Sequence, residues 1–250
     1  MNRIVCIILL CIVVLFSCEN RSGENNRQRT NVGKTYKTRS SNSTKNKSTT
    51  KHKDSAQPNN SSNIKYSGNE IFRKCNTAVF TIYTSDGNSG YQGSGFFLSS
   101  SGLAVSNYHV FQGTLIGYET IKLSNGNSYK ISKVVAKSKE DDIIIFKVDE
   151  NGVRFNYLPK STHRAMVGDK VYAIGSPLGL ENTFSSGEIS QLRGDDVIQI
   201  SVPIDHGSSG GALINEYGEV IGITSSGIDR SGANLNFAID INVLSKYIDL

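Results

Sequence analysis

The central and C-terminal parts of the chain alternate short apolar runs with clusters of turn-forming residues. Runs rich in Val, Ile, Phe and Tyr occupy positions 79–83, 95–98, 129–131 and 143–146. Turn signals such as Asp86-Gly87 and Asn125-Gly126 separate them. This spacing is typical of an all-β sandwich or barrel. A helical pattern appears at residues 242–248, so we predict an all-β domain with a short C-terminal helix.

The start of the chain has a different pattern. Residues 4–16 form an unbroken apolar run after Arg3, shorter than the roughly 20 residues that span a bilayer, which fits the core of a signal peptide. The run ends in Leu15-Phe16-Ser17-Cys18, which resembles the lipobox of bacterial lipoproteins. We therefore predict a lipoprotein-type signal peptide at 1–17 and lipid attachment at Cys18. A plain signal peptide and an uncleaved anchor are the alternatives.

Residues 18–66 are rich in Ser, Thr, Asn and Lys and nearly devoid of large apolar side chains. Between 19 and 66 there are eleven Lys and Arg but three acidic residues. A segment of this composition cannot bury enough apolar surface to fold, so we predict a disordered basic tether. Subtracting these charges and Arg3 leaves 15 basic and 19 acidic residues for a domain at 67–250. This mildly acidic domain is not expected to bind nucleic acid.

The cysteines and histidines place limits on the chemistry. Cys6 and Cys11 lie in the apolar run and Cys18 is the candidate lipid site, so Cys75 has no partner for an intramolecular disulfide. We interpret Cys75 as a small buried residue without chemistry of its own. His109, His163 and His206 lack the close spacing of metal ligands, so metal binding through them is a weak alternative. The nucleophilic chemistry considered next requires neither a metal nor an organic cofactor.

Two segments of the β-rich region supply a candidate base and a candidate orienting carboxylate. His109 ends the apolar segment that starts at Leu103, where an imidazole can take a proton with one nitrogen while a carboxylate holds the other. Asp142 immediately precedes the apolar run 143–146 and is therefore preferred to Asp141. There it could fix the tautomer of His109 and stabilise the imidazolium.

A third segment, Gly207-Ser208-Ser209-Gly210-Gly211, supplies the candidate nucleophile Ser209. Its glycines allow a tight turn that directs backbone amides into one cavity. The amides of Gly207 and Ser209 would form an oxyanion hole, in which one donor stabilises a transition state by about 3 kcal/mol. The three residues follow one another along the chain in the order His, Asp, Ser. This is one of several chain orders known for a base, an orienting carboxylate and a nucleophile that act together.

With these residues the chain resembles the protease domain of the HtrA/Deg branch of trypsin-like serine peptidases, from about residue 77 to 248. Further matching motifs are Gly93-Ser94-Gly95-Phe96, Asn107-Tyr108-His109-Val110, Val167-Gly168-Asp169, the run 173–180, Ser186-Gly187-Glu188-Ile189-Ser190 and Asn236-Phe237-Ala238-Ile239. The resemblance implies two six-stranded antiparallel β-barrels with the active site in the cleft between them. It also implies a serine endopeptidase that acts on unfolded or flexible polypeptides. A latent or non-catalytic peptide-binding module on the same fold is the alternative.

The resemblance further implies roles for residues around the triad. Ser225 would hydrogen-bond Asp142, and Ser225, Ser226 and Gly227 would pair with the substrate backbone as an added strand. Pro203 takes the place of a carboxylate at the pocket floor, which argues against a preference for Lys or Arg. We expect a shallow pocket for small or medium uncharged side chains, narrowed by Asn236.

Features of the whole chain bear on its setting. The chain stops at Leu250 without the PDZ domains common in HtrA relatives, so PDZ-based regulation is not expected. We expect a lipoprotein that is exported from a bacterial cytoplasm and faces the periplasm or cell exterior. Its partners would be polypeptide substrates and, through the lipid anchor, a membrane; its oligomeric state stays open.

Overall fold

The computed structural model describes residues 64–149, 151–176, 182–230 and 233–249, and for 226–230 and 233–234 it describes the backbone alone. The chain divides into units Met1–Asn60 and Ser61–Leu250, and all described residues belong to the second. The predicted signal peptide, Cys18 and nearly all of the predicted tether lie outside the described residues.

The described part is built mainly from antiparallel strands. Its strands are β1 (Val79–Ser85), β2 (Gly90–Phe97), β3 (Leu103–Ser106), β4 (Thr120–Leu123), β5 (Ser128–Tyr129), β6 (Ile131–Ser138), β7 (Ile143–Val148), β8 (Lys170–Gly175), β9 (Thr183–Arg193), β10 (Val197–Ile200), β11 (Ala212–Asn215), β12 (Val220–Arg230) and β13 (Ala233–Asp240). An α-helix, α1, spans Gly68–Cys75, and 3-10 helices span Asn76–Ala78, Tyr108–Phe111 and Ile241–Lys246.

Strands β1–β7 form one curled sheet in the order β5-β4-β1-β2-β3-β7-β6. Its two edge strands, β5 and β6, are consecutive in the chain and are separated by Lys130 alone. They are therefore one bent strand that pairs with β4 at one end of the sheet and β7 at the other. Counted in this way, the sheet has the six strands that the sequence predicts.

Strands β8–β13 form a closed six-stranded barrel in the order β10-β13-β12-β11-β8-β9, so the predicted fold class is confirmed. Alternate inward positions are filled by Val, Ile, Leu and Ala, which pack as one apolar cluster inside the barrel. The β12–β13 ladder shifts register between Thr224 and Gly227, which leaves a bulge in β12. This bulge lies at the segment for which the sequence predicts substrate pairing.

A single apolar cluster lies where the sheet and the barrel meet. The sheet contributes Phe96, Val105 and Ile145 and the barrel contributes Ile174, Ala212 and Ile223, among others. Helix α1 adds Ile71 and Cys75, and the C-terminal 3-10 helix adds Val243 and Leu244. Because this joint core excludes water, it fixes the position of one half of the fold against the other.

Helix α1 is absent from the sequence-based prediction, which named a helical pattern at the C-terminus alone. Ser67 precedes it, and the Glu70 carboxylate accepts hydrogen bonds from the Ser67 amide (2.9 Å) and hydroxyl (2.7 Å). The signal was Ser67-Gly68-Asn69-Glu70, whose Ser-x-x-Glu spacing is typical of a capping box. The predicted C-terminal helix is present at Ile241–Lys246, in 3-10 form.

Candidate active site

His109 and Asp142 lie side by side at the edge of the curled sheet. His109 belongs to the 3-10 helix after β3, and Asp142 directly precedes β7. His109 Nδ1 lies 2.8 Å from Asp142 Oδ2, and the His109 amide donates to Asp142 Oδ1 at 2.9 Å. The Asp142 side chain is 7% exposed and that of His109 is 34% exposed. The carboxylate is thus shielded, while the imidazole reaches the surface of the cleft.

The backbone of Asp142 adopts a left-handed conformation, with φ of 51°. Its carbonyl accepts hydrogen bonds from the Tyr108 amide at 3.1 Å and from Asn107 Nδ2 at 3.0 Å. A non-glycine residue in this region is uncommon, and Asp is among the residues that tolerate it best. The His109 segment therefore holds both the backbone and the side chain of Asp142 in place.

Ser209 lies in the loop between β10 and β11, immediately after a tight turn. The Ser208 amide donates to the Asp205 carbonyl at 2.9 Å, and Gly207 has a φ of 94°. A positive φ at the third residue is the signature of a type II turn, which explains the glycine at 207. Gly210 follows with a φ of 86°.

The Ser209 loop packs directly against the segment that carries His109. A Cβ added at Gly210 would meet Ser106 Oγ at 2.3 Å and the Asn107 amide nitrogen at 3.2 Å. Within the described residues the Ser209 hydroxyl makes no hydrogen bond. The structure therefore joins His109 to Asp142 by hydrogen bonds and places Ser209 beside them without a direct hydrogen bond to His109.

The amides of Gly207 and Ser209 have no hydrogen-bond acceptor among the described residues. The orientation of the Ser209 amide follows from its neighbour, because the Ser208 carbonyl accepts hydrogen bonds from Thr224 Oγ1 (2.7 Å) and the Gly211 amide (3.0 Å). In a trans peptide the N–H points opposite to the C=O. The Ser209 amide is therefore directed away from Thr224 and is free to bind an anion.

Ser225, Ser226 and Gly227 lie at the bulge of β12. Ser225 Oγ donates to Asp142 Oδ2 across a long 3.5 Å contact, which brings the predicted pair together. Gly227 pairs with Asn236 of β13. The side chain of Ser226 lies outside the described atoms. The predicted substrate-binding segment thus lies next to the Asp142 carboxylate. At Ser226 the structure describes the backbone only.

Pro203 and Asn236 have different surroundings. Pro203 lines a cavity of about 100 Å³ beneath the Ser209 turn, together with Ile204, Asp205, Thr183, Ser185, Ser208, Thr224 and residues 173–175. Asn236 does not line this cavity; it is buried and donates its amide to the Val202 carbonyl at 2.8 Å. Asn236 holds the loop segment next to Pro203. Asp205 places a carboxylate at the cavity, which the sequence analysis did not predict.

Titratable groups away from the cleft have clear physical roles. Burial raises the pKa of the Cys75 thiol to about 11, so the thiol is protonated at neutral pH. Burial raises the pKa of Glu219, but hydrogen bonds from Asn215, His163 and Ser161 outweigh it, and the net pKa is below the usual value. His163 Nδ1 lies 2.8 Å from Glu219 Oε2.

Neither a cluster of metal-ligating side chains nor a membrane-spanning helix is found among the described residues. Within them, no group of three or more His, Cys, Asp or Glu side chains is arranged to hold a metal ion. No helix in the same part of the chain is long and apolar enough to cross a membrane.

Sequence reasoning assigned no role to three residues that hold the Ser209 loop. Ser94 donates its amide to the Ser209 carbonyl at 2.8 Å, and Ser106 Oγ donates to the Ser94 carbonyl at 2.7 Å. On the other side of the loop, Thr224 Oγ1 donates a hydrogen bond to the Ser208 carbonyl. The available signal was the position of Ser94 just before Phe96-Phe97 and of Ser106 just after Leu103-Ala104-Val105, because a polar group buried beside such residues must have a partner.

Comparisons with known proteins agree with this fold. The model of the trypsin-like peptidase domain matches residues 93–223, a segment that contains His109, Asp142 and Ser209. The chain belongs to the trypsin-like peptidase family. A crystal structure of the serine endoprotease from Yersinia pestis superposes with a TM-score of 0.65 and 28% identity, over 73% of this chain and 65% of that one.

Relatives in sequence fall in the Deg branch. A probable periplasmic serine endoprotease, DegP-like, of Rhizobium meliloti is 34% identical over 63% of this chain and 32% of its own length. A protein of the same description from Halomonas elongata is 39% identical over 63% of this chain and 34% of its own length. The serine endoprotease DegS of Haemophilus influenzae is 34% identical over 62% of this chain and 48% of its own length. The predicted resemblance is confirmed, and the chain spans a third to a half of these relatives.

Proposed function

We propose that the protein is a serine endopeptidase that cleaves polypeptides through an acyl-enzyme. Ser209 Oγ attacks the substrate carbonyl carbon and passes its proton to His109 Nε2, while Asp142 stabilises the resulting imidazolium. The amides of Gly207 and Ser209 bind the oxyanion. The C–N bond then breaks as His109 returns the proton to the leaving amine, and water, activated by the same imidazole, releases the acyl group.

The observation that carries this proposal is the 2.8 Å contact between His109 Nδ1 and Asp142 Oδ2 beside two unpaired amides. The contact holds Nδ1, so Nε2 is left to face the cleft. The free amides of Gly207 and Ser209 provide donors where negative charge would develop on the substrate oxygen. Catalytic hydrogen bonds are often long before substrate binds, so the absence of a Ser209–His109 hydrogen bond is compatible with this role.

A covalent probe tests the proposal directly. The full chain is incubated with a fluorophosphonate, which phosphonylates an activated serine with loss of fluoride, and with an unfolded protein as substrate. We expect the wild-type protein to be labelled at Ser209 and to cleave the substrate, and Ser209→Ala to do neither. Circular dichroism of both proteins establishes that each is folded.

The alternative is a latent or non-catalytic peptide-binding module. The Ser209 hydroxyl has no hydrogen-bond partner in the described part of the chain, and this observation favours the second candidate. The decisive outcome is a folded wild-type protein that is not labelled and does not cleave the substrate, but binds unfolded polypeptide as tightly as Ser209→Ala does. This outcome would establish the peptide-binding module and exclude the peptidase.

We propose that the substrate is an unfolded or flexible polypeptide that adds a strand beside Ser225–Gly227. The bulge in β12 leaves this part of the ladder irregular, so its backbone groups can pair with an added segment. The cavity of about 100 Å³ holds roughly three groups the size of a water molecule, which suits a small or medium side chain. Cleavage sites in a denatured protein should follow Val, Ala or Leu; a majority after Lys or Arg would assign the specificity to Asp205.

We further propose export and lipid attachment at Cys18, with residues 18–66 as a tether. The relatives from Rhizobium meliloti and Halomonas elongata are probable periplasmic proteases, which supports an extracytoplasmic location for this protein. Expression of the full chain in bacteria should place it in the membrane fraction with a fatty-acylated N-terminal peptide. Cys18→Ser should lose the acyl mass from this peptide. If the wild-type peptide carried no acyl mass and Cys18→Ser remained in the membrane fraction as wild type does, lipidation at Cys18 would be excluded.

A further inference from the structure

Ser94 is a fully buried residue of β2 that hydrogen-bonds to both ends of the Ser209 turn. Its hydroxyl donates to the Gly207 carbonyl at 2.7 Å, and its amide donates to the Ser209 carbonyl at 2.8 Å. The same hydroxyl accepts the Ser176 amide at 2.8 Å. A residue of the curled sheet thus connects three backbone groups that belong to the barrel half of the fold.

Both donors of Ser94, its amide and its hydroxyl, are engaged in hydrogen bonds. A serine hydroxyl has one proton, and the Ser176 amide needs an acceptor because Ser176 is itself completely buried. The hydroxyl proton is therefore directed to Gly207. The Ser94 carbonyl accepts Ser106 Oγ at 2.7 Å, three residues before His109. Ser94 thus hydrogen-bonds both to the segment that carries His109 and to the Ser209 turn.

We propose that the hydroxyl of Ser94 is a positioning group for the proposed active site. It fixes the carbonyl of Gly207, and with it the turn from which the Gly207 and Ser209 amides point at the substrate oxygen. Without the hydroxyl, the Gly207 carbonyl loses its partner and the buried Ser176 amide loses its acceptor, so the turn shifts relative to His109. The expected effect of Ser94 on reaction rates rests on the proposed function. Its expected effect on the position of the turn does not.

Kinetics of Ser94→Ala test the proposal against a matched control. Ser161 also accepts a backbone amide, from His163 at 3.0 Å, and donates to a nearby acceptor, Glu219 Oε2 at 2.9 Å, but it lies outside the site. Displacement of a reacting group or loss of one oxyanion donor slows such reactions by about a hundredfold. We expect Ser94→Ala to lower kcat by about tenfold to a hundredfold with KM within about twofold. Ser161→Ala should match wild type in kcat.

A transition-state analogue separates positioning from general destabilisation. A peptide boronate forms a tetrahedral adduct with Ser209, and its oxygen occupies the oxyanion hole. Its affinity should fall in Ser94→Ala by the same factor as kcat, whereas a substrate peptide should bind Ser209→Ala and the double variant Ser94→Ala/Ser209→Ala equally. Equal kcat and boronate affinity in Ser94→Ala and wild type would overturn the proposal.

Hydrogen exchange provides a readout that needs no activity. In Ser94→Ala the amides of residues 205–211 should exchange faster than in wild type, while Ser161→Ala should affect residues 215–219 instead. If the wild-type protein proves inactive, the proposed peptidase function fails, but exchange in 205–211 still decides the positioning role. Unchanged protection there would refute it. Should the alanine protein not fold, Ser94→Cys, whose thiol is a weak donor, is judged by the same measurements.

Discussion

Gly210→Ala should destabilise the fold moderately and slow the reaction of the proposed peptidase strongly. Gly210 has a φ of 86°, where an L-residue costs about 1–2 kcal/mol. An added Cβ would also lie 2.2 Å from the Ser94 carbonyl oxygen and 2.3 Å from Ser106 Oγ. Both neighbours are buried, so the loop must move, and overpacking of this kind costs about 1–3 kcal/mol more. We expect a loss of about 2–5 kcal/mol in the free energy of unfolding.

The activity should suffer more because the required movement falls on the residue next to Ser209. Real Cβ atoms keep about 3.0 Å from such atoms, so the loop must shift by roughly 0.8 Å. A misplacement near 1 Å lowers rates by about a hundredfold. The rate of fluorophosphonate labelling, measured well below the unfolding temperature, should fall by that factor.

Gly126→Ala is a matched control for this experiment. Gly126 also has a φ of 86°, and a Cβ added there would meet nothing within 4 Å. It should lose about 1–2 kcal/mol of stability from the backbone alone and label at the wild-type rate. If Gly210→Ala labelled as fast as Gly126→Ala, the packing argument for the Ser209 loop would be wrong.

Three further predictions concern single groups. Asp142→Asn should preserve the fold, because Asn also tolerates the left-handed backbone, but lower kcat about 10⁴-fold by holding the wrong tautomer of His109; a loss below tenfold would contradict the proposed role. The pKa of Glu219 is lowered in the folded state because hydrogen bonds outweigh burial, so its stabilisation is present above its unfolded pKa and is lost as pH falls through the folded one. The Tm of Glu219→Gln should therefore fall less than that of wild type between pH 6 and about 3, and parallel curves would exclude this contribution. Cys75, with a pKa of about 11, should resist iodoacetamide in the folded protein at pH 7.5 and react in urea, as read by peptide mass spectrometry; rapid alkylation without urea would contradict its burial.

Local patterns predicted the fold and the candidate triad because both depend on short sequence signals. Apolar runs and Gly-containing turns indicated the strands, and the glycines around Ser209 indicated a turn that directs amides to one side. Helix α1 was missed because it buries only Ile71 and Cys75 along its length, so its apolar stripe is short.

Contacts between distant segments could not be predicted from such patterns. Ser94 and Thr224 act through hydrogen bonds to the carbonyls of Gly207 and Ser208, and nothing in their own neighbourhoods indicates those partners. The hydrogen bond from the Asn236 side chain to the Val202 carbonyl is a further contact of this kind, because a buried amide group needs a partner but its sequence does not say which one.

The joint core between sheet and barrel has a consequence for when the site can exist. His109 and Asp142 belong to the sheet, Ser209 belongs to the barrel half, and the core that holds these halves together includes Val243 and Leu244 near the end of the chain. During synthesis, the docking surface is therefore incomplete until Val243 and Leu244 have left the ribosome. A nascent chain that ends before residue 243 carries His109, Asp142 and Ser209 but lacks part of the core that fixes their arrangement, so the site assembles only after this segment has been made.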